Sequence, residues 1–372
     1  MRKHWILLLL LFSLLLTCVP ARAEEEEGPS AMILYEPRTG TVLEALNPDE
    51  PMLIASTTKI MTALVVLEHC GLDETVCVTA EQTAVEGSSA YLMAGASYTV
   101  EGLLYGLLLA SGNDAACALA EHTAGSIEGF AALMNKKAAA LGLLNTHFSN
   151  PHGLNDPEHY SSARDLALLT AAAMENETFS RIFAARSYSA QGMEYSNHNK
   201  LLDLCEGCIG GKTGYTKAAG RTLVSCVQRG DLRLICVTLN DPDDWEDHCR
   251  WYDNAYSSFD FIPFPAENWQ CLPVISGTSP TVTLRCNAPG VLVHRSPGVK
   301  TLVELPRFLF APVAAGECLG TVTISEDGTA VGRADIFAVD SVPRDEDEEI
   351  MPWKRFWKNW VRRCAAAPLV ES

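Results

Sequence analysis

Apolar and polar positions follow different periods along the chain, and each change of period marks a new element. Residues 31–45 carry two short apolar runs around a turn-forming cluster at residues 37–40, which predicts two strands. From Ser56 the apolar positions recur at helical spacing, and no glycine or proline interrupts them before Gly71. Ser56 is therefore predicted to open a helix.

The middle of the chain is rich in Ala and Leu and predicts several helices. Residues 100–124 contain two helical segments that are broken at residues 111–113. A third helical segment ends at Gly142, and a fourth begins after Ser161 or Ser162, since serine often caps a helix N-terminus. This part of the chain is predicted to be mostly helical.

Strand patterns return over residues 220–240, where two β-rich runs flank an Arg-Gly-Asp turn at residues 229–231. A helix is predicted over residues 248–262, and prolines follow it. Residues 268–340 then alternate Val, Thr and Leu with frequent Gly and Pro. No long helical period occurs there, which predicts a separate small β domain.

The C-terminal segment has a third kind of pattern. Over residues 353–364, three tryptophans fall on one helical stripe together with Phe356, Val361 and Cys364, and five basic residues surround the stripe. Such a helix suits a membrane interface, where Trp lies at the headgroups. We expect residues 350–364 to bind a membrane surface without spanning it; docking onto the protein's own surface is the alternative.

The N-terminus has the pattern of an export signal. Basic residues precede an almost wholly apolar run at residues 6–16, and Ala21 and Ala23 form a cleavage site of small residues. We predict a signal peptide at residues 1–23, with a lipoprotein signal ending at Cys18 as the alternative. The mature protein is then expected at the outer face of the cytoplasmic membrane or in the cell wall.

Composition excludes two classes of protein. The chain has 372 residues, of which 48% are hydrophobic, so it can bury large cores and is not disordered. Its net charge is −18, and it becomes −21 when three basic residues leave with the signal peptide. Nucleic acid is therefore an unfavourable partner. Acidic runs at residues 24–29 and 341–349 are predicted linkers.

Thirteen cysteines become twelve after removal of the signal peptide, and an even number permits disulfides in an exported chain. Their spacing is irregular. Cys205 and Cys208 form a single C-x-x-C without a second pair at zinc spacing. A structural or disulfide role is favoured over spare thiols, and metal or redox chemistry is the least favoured.

Ser56 and Lys59 are three residues apart and share one face of a helical turn. A neutral lysine amine can take the proton of a serine hydroxyl and so activate it as a nucleophile. Neutrality requires burial or a nearby positive charge. Alone the pair has a plainer interpretation, because serine caps many helices and lysine is a common surface residue.

Two further motifs change that interpretation. Residues 111–113 are Ser-Gly-Asn at a helix break, and residues 212–214 are Lys-Thr-Gly directly before a strong strand pattern. An edge strand of this kind can hold a carboxylate while a peptide lies alongside it. The order S-x-x-K, S-x-N, K-T-G is the motif set of penicillin-binding proteins and class A β-lactamases.

With these motifs the chain resembles the serine D-alanyl-D-alanine carboxypeptidases, the low-molecular-mass penicillin-binding proteins. The resemblance extends over residues 30–363 and includes the blocks at 55–64, 111–121, 150–169 and 210–224. It implies an α+β, β-lactamase/DD-peptidase-like fold, with an antiparallel sheet flanked by helices and a helical subdomain. The implied catalytic domain is 30–263, followed by the β domain and the amphipathic helix.

The resemblance also implies roles for the motif residues. Ser56 attacks the D-Ala–D-Ala bond of a peptidoglycan stem peptide, with Lys59 as its base. Ser111 passes a proton to the leaving D-Ala, and Asn113 binds the substrate amide. β-Lactams are expected to mimic the substrate and to acylate Ser56.

The third motif is expected to bind the end of the substrate. Lys212 and Thr213 bind the terminal carboxylate, while Gly214 lets the peptide lie alongside the strand. The backbone N–H of Tyr215, with that of Ser56, binds the oxyanion. No metal or cofactor is expected to take part.

Four alternatives remain. A β-lactamase needs a deacylating glutamate, and none can be assigned here. A transpeptidase differs only in its acceptor, and a non-catalytic cell-wall-binding protein is disfavoured by the intact motifs. A Ser–His pair through His152 is disfavoured because its Pro-His-Gly setting is typical of a structural loop.

Overall fold

The computed structural model describes residues 28–190, 192–264, 271–295 and 298–345. The predicted signal peptide and the predicted C-terminal helix lie outside these ranges. Among the described residues, no helix has both the length and the apolar character that crossing a membrane requires.

The first part of the chain is built on a five-stranded antiparallel sheet with the strand order β2-β1-β9-β8-β7. Two smaller two-stranded sheets, β3–β4 and β5–β6, lie outside it. The strands are β1 (Ala31–Glu36), β2 (Thr41–Leu46), β3 (Thr75–Cys77), β4 (Ser97–Thr99), β5 (Ser187–Ala190), β6 (Met193–Ser196), β7 (Cys208–Thr216), β8 (Gly220–Arg229) and β9 (Leu232–Leu239). Both predicted turns, at 37–40 and 229–231, are confirmed as hairpin connections.

The helices of this part pack on both faces of the sheet. They are α1 (Lys59–His69), α2 (Ala80–Thr83), α3 (Val100–Leu108), α4 (Asn113–Ala124), α5 (Ile127–Ala140), α6 (Ala163–Met174), α7 (Glu177–Phe183), α8 (Leu201–Leu204) and α9 (Asp244–Ser258). The predicted helix break at 111–113 is confirmed, and Ser162 is the cap of α6, because its side chain accepts from the Asp165 N–H.

The two faces of the sheet form two separate cores. In β1, Ala31 and Ile33 face the core shared with α1, α3, α4 and α6, whereas Met32 and Leu34 face the core shared with α9. This alternation follows from the two-residue period of a strand. Because both faces are covered, the central strands can be apolar at nearly every position.

Residues 259–345 contain the smaller β-rich part, and its core is separate from the other two. Its strands are β10 (Phe259–Pro263), β11 (Leu272–Ile275), β12 (Thr281–Val282), β13 (Leu284–Cys286), β14 (Gly290–His294), β15 (Val299–Glu304), β16 (Leu309–Phe310), β17 (Cys318–Glu326) and β18 (Thr329–Ala338). They form sheets β13-β18-β17-β15, β12-β11-β16 and β10-β14. Strand β10, before the predicted boundary, therefore pairs with a strand that follows it.

Three details differ from the sequence-based expectations. Ser56 lies in a 3₁₀ turn, Ala55–Thr58, and α1 begins only at Lys59, so Ser56 makes no side-chain cap of that helix. The Lys-Thr-Gly motif lies inside β7 rather than before a strand. The eleven cysteines of the described residues all have free thiols, and Cys205 and Cys208 contribute to packing without forming a disulfide.

Candidate active site

Ser56 lies where a strained turn meets a buried helix. Its neighbour Ala55 has a positive φ of 45°, a conformation that costs free energy for a residue with a side chain. The turn places the Ser56 side chain on the wall of a cleft of about 460 Å³. The Ser56 N–H belongs to the first turn of the 3₁₀ segment, where backbone donors have no acceptor within the helix.

Lys59 is fully buried beneath this serine, with 0% of its surface exposed. Its Nζ lies 2.9 Å from Ser56 Oγ, 2.7 Å from Asn113 Oδ1 and 2.8 Å from the backbone oxygen of His152. The prediction that Lys59 is buried is therefore confirmed. Three polar groups from three segments converge on one amine.

The surroundings of Lys59 favour the neutral amine. Burial is the main cause that holds the pKa of Lys59 well below the ordinary lysine value, and the nearby positive charge of Lys212 lowers it further. A neutral amine has two N–H donors and one lone pair. The Asn113 and His152 oxygens can accept both donors, which leaves the lone pair for the hydroxyl hydrogen of Ser56.

Asn113 begins helix α4 and is held by two hydrogen bonds, one from its side-chain amide and one from its backbone N–H. Its Nδ2 donates to the Glu86 oxygen at 2.6 Å, and its backbone N–H donates to the Ser88 oxygen at 2.7 Å. These bonds aim Oδ1 at Lys59. In this geometry Asn113 positions Lys59. Its expected contact with a substrate amide stays a prediction, and the second hydrogen of Nδ2 is the donor that could make it.

Ser111 and Lys212 form a second serine–lysine pair across the cleft. Lys212 Nζ donates to Ser111 Oγ at 3.0 Å and to the Thr213 backbone oxygen at 2.9 Å. Lys212 is 1% exposed, and burial lowers its pKa to about 7. Ser111 has a positive φ of 58°, so it is a second strained residue at the site.

Strand β7 closes the cleft as the edge of the sheet. Thr213, Gly214 and Tyr215 line the cleft together with Ser56. A Cβ at Gly214 would lie 2.8 Å from the Ser56 backbone nitrogen and 2.4 Å from Thr222 Oγ1. Only glycine therefore lets this strand approach the serine closely.

The loop at residues 150–153 contributes groups that sequence reasoning missed. Besides the His152 oxygen, the Pro151 oxygen accepts from Thr62 Oγ1 at 2.6 Å. A Cβ at Gly153 would lie 1.8 Å from the Ala55 oxygen, so this glycine has to pack directly on the 3₁₀ turn. The His152 ring accepts from the Leu154 N–H, which holds it within its own loop, and burial lowers its pKa to about 3.

Further cleft residues were also missed, because none of them belongs to the three short motifs. They are Ser88, His198, Arg221, Asp244 and Trp245. Arg221 forms an ion pair with Asp244, and its guanidinium lies 5.6 Å from the centre of the Trp245 ring. Arg221 reaches the cleft from β8, and Asp244 and Trp245 reach it from the start of α9.

Two comparisons with known protein sequences agree on the family that this chain resembles. The profile of a family described as D-alanyl-D-alanine carboxypeptidase matches residues 20–243. D-alanyl-D-alanine carboxypeptidase DacF of Bacillus subtilis is 30% identical over 370 residues, which cover 92% of this chain and 95% of that protein.

Solved structures give the same result. Penicillin binding protein 5 from Haemophilus influenzae is 28% identical with a TM-score of 0.71, and the match covers 85% of this chain and 98% of that one. A mutant of the Streptomyces K15 DD-transpeptidase is 33% identical with a TM-score of 0.58, and the match covers 61% of this chain and 98% of that one. The predicted α+β, DD-peptidase-like fold is thus confirmed.

Replacing Lys212 by methionine should raise the pKa of Lys59, because the substitution removes the nearby positive charge but keeps the apolar length of the side chain. The Lys59 pKa should remain below the ordinary lysine value, since burial is the larger cause. The measurement is an NMR titration of lysine side chains in labelled protein, assigned with Lys59→Met. In the control Lys137→Met, which alters only a surface ion pair with Glu68, the Lys59 titration should not change. An unchanged Lys59 titration in Lys212→Met would show that the two amines are not coupled.

Proposed function

Because the chain belongs to the D-alanyl-D-alanine carboxypeptidase family of serine peptidases, we propose that it removes the terminal D-alanine from peptidoglycan stem pentapeptides through an acyl-enzyme on Ser56. One observation carries this proposal: the buried amine of Lys59 lies 2.9 Å from the Ser56 hydroxyl, with two other acceptors for its own hydrogens. A hydroxyl held in this way has a base for its proton at the moment of attack.

Acylation begins when Ser56 Oγ attacks the carbonyl carbon of the D-Ala–D-Ala bond. The hydroxyl proton moves to Nζ of Lys59. The tetrahedral oxyanion then lies between the backbone N–H groups of Ser56 and Tyr215, where preorganised donors stabilise developing charge. The close approach of Gly214 to the Ser56 nitrogen supports this placement.

The last D-Ala of the substrate ends in a carboxylate, and Lys212 and Thr213 are proposed to bind it. The positive charge of Lys212 attracts the substrate carboxylate and also lowers the pKa of Lys59. Ser111, which accepts from Lys212 Nζ, gives its hydroxyl proton to the leaving amine of D-Ala and takes up the proton that Lys59 received, so Lys59 is neutral again. Water then attacks the ester carbonyl and releases the shortened peptide.

The same site is proposed to react with β-lactams, whose strained amide takes the place of the D-Ala–D-Ala bond and leaves Ser56 acylated. A β-lactamase activity is not favoured, since no glutamate lines the cleft among the described residues. Transfer of the acyl group to a second stem peptide is the nearest alternative, because a similar solved chain is named a DD-transpeptidase.

The proposal includes the place where the enzyme acts. The substrate lies outside the cytoplasm, which agrees with the signal peptide expected at residues 1–23. The amphipathic segment 350–364 is proposed to hold the enzyme at the membrane surface near the cell wall.

Incubation of the purified protein with a muramyl pentapeptide should remove one alanine from each molecule, as measured by mass spectrometry. Ser56→Ala should lose this activity by several orders of magnitude, because the substitution removes the hydroxyl that lies beside the buried Lys59 amine and is proposed to form the acyl-enzyme. The same variant should not be labelled covalently by penicillin, whereas the unmodified chain should bind one penicillin per molecule. Ser257→Ala, an exposed substitution on α9, is the matched control and should behave like the unmodified chain.

Other outcomes of that experiment are equally clear. A cross-linked peptide dimer as the main product would replace the carboxypeptidase proposal with a transpeptidase. An unchanged pentapeptide would reject both activities. Penicillin labelling that persists in Ser56→Ala would reject Ser56 as the nucleophile.

Deletion of residues 350–372 should move the protein from the membrane to the soluble fraction of cells, because it removes the apolar stripe and its basic flanks. Cell fractionation with an immunoblot measures this. Pentapeptide cleavage by the truncated protein should be retained, since the lining residues that the structure describes all lie between Ser56 and Trp245. Continued membrane attachment after the deletion would contradict the anchoring role.

A further inference from the structure

A cluster of metal-ligating side chains lies away from the cleft, where helices α1 and α4 end. Cys70 follows the last residue of α1, Glu74 lies in the segment after it, and His122 lies in the last turn of α4. The ligand atoms of these three residues lie within 4.8 Å of one another. Within the described part of the chain, no other group of three such residues is as close.

We propose that Cys70, Glu74 and His122 bind a Zn²⁺ ion that ties the end of α1 to the end of α4. A thiolate, an imidazole and a carboxylate are all common zinc ligands. Zinc sites with three protein ligands complete their tetrahedron with a water molecule. The combined charge of one thiolate and one carboxylate also balances a divalent cation.

The geometry is close to what zinc requires. His122 Nε2 lies 2.9 Å from Glu74 Oε2. Two such ligands on one tetrahedral zinc ion are separated by about 3.4 Å, given metal–ligand distances of about 2.1 Å. His122 Nε2 and Glu74 Oε2 therefore need to move apart by only about half an ångström, a movement that surface side chains make easily.

The ligands are also oriented by their neighbours, as metal ligands usually are. The second carboxylate oxygen of Glu74 accepts from the Gly71 N–H at 2.6 Å, which leaves Oε2 for the metal. Cys70 Sγ lies 3.3 Å from Thr123 Oγ1. The His122 and Glu74 side chains are 25% and 47% exposed, so an ion and its water ligand can reach them.

This site is linked to the cleft through the two helices. Lys59 and Asn113 meet where α1 and α4 begin, whereas Cys70 and His122 meet where the same helices end. The helices are therefore parallel neighbours, and α1 spans about 16 Å between the two sites. A bound ion would restrain the distant ends of the two elements that align Lys59.

The test uses the full mature protein, stripped of metal with a chelator and then supplied with zinc chloride. Competition with a chromophoric zinc indicator measures affinity, and metal analysis after desalting measures stoichiometry. We expect one tightly bound zinc per chain. Cys70→Ser and His122→Ala should each weaken binding by at least about tenfold to a hundredfold, because loss of an outer-sphere partner alone has that effect.

Matched controls exist outside the cluster. Cys77→Ser and His294→Gln remove an exposed thiol and an exposed imidazole outside the cluster, and both variants should bind zinc like the unmodified chain. Cobalt(II) gives a second readout, since a thiolate ligand adds a charge-transfer band that should disappear in Cys70→Ser and persist in Cys77→Ser. Zinc should raise the Tm of the control variants but not that of His122→Ala.

Two results would overturn the proposal. One is absence of stoichiometric zinc binding by the unmodified chain, which would leave His122 and Glu74 as an ordinary ion pair. The other is equal zinc affinity in Cys70→Ser, His122→Ala and the controls, which would place the metal elsewhere. Neither result bears on peptidase activity, so the proposed function is tested independently.

Discussion

The burial of Lys59 is the constraint on which the rest of the site depends. An ammonium group removed from water is costly unless it is paired with a negative charge, and otherwise the amine loses its proton. The three groups within reach of Nζ are a hydroxyl, an amide oxygen and a carbonyl oxygen, and none of them carries a charge. The positive charge of the nearby Lys212 would repel a positive charge on Lys59. Burial and this neighbour both favour a neutral Lys59, and a neutral amine beside a serine hydroxyl is a base.

Holding this arrangement requires the backbone to adopt unfavourable conformations and close contacts. Ala55 and Ser111 have positive φ angles, and Gly153 and Gly214 occupy positions where a side chain would collide with the 3₁₀ turn. Such strain persists when the surrounding structure determines it. Here the two buried faces of the sheet and the parallel packing of α1 and α4 provide that support. The zinc site proposed at the other end of these helices would add to it.

Much of this fold and of its site could be predicted because the signals are local. Turn residues, helical spacing and the three short motifs each occupy a few consecutive positions, and Ser56, Lys59, Ser111 and Lys212 indeed converge. The rest depends on tertiary approach. A backbone oxygen such as that of His152 is the same for every residue type, so the sequence does not mark it. Arg221 and Trp245 come from different elements, and only the folded chain brings them to one cleft. Cys70, Glu74 and His122 are likewise scattered, since 48 residues separate Glu74 from His122. The 3₁₀ turn at Ser56 was missed because its serine suggested a helix cap.

The central claim is that Lys59 is the base that activates Ser56 and is neutral at physiological pH. The most direct measurement is the rate constant of Ser56 acylation by a penicillin as a function of pH. A base acts only when deprotonated, so the rate should rise through the pKa of Lys59. It should fall again at higher pH as Lys212, whose pKa is about 7, loses the charge that binds the carboxylate. The account predicts that this rise is complete well below the ordinary lysine pKa of 10.5. A rate that climbs only as the pH approaches that value would contradict it.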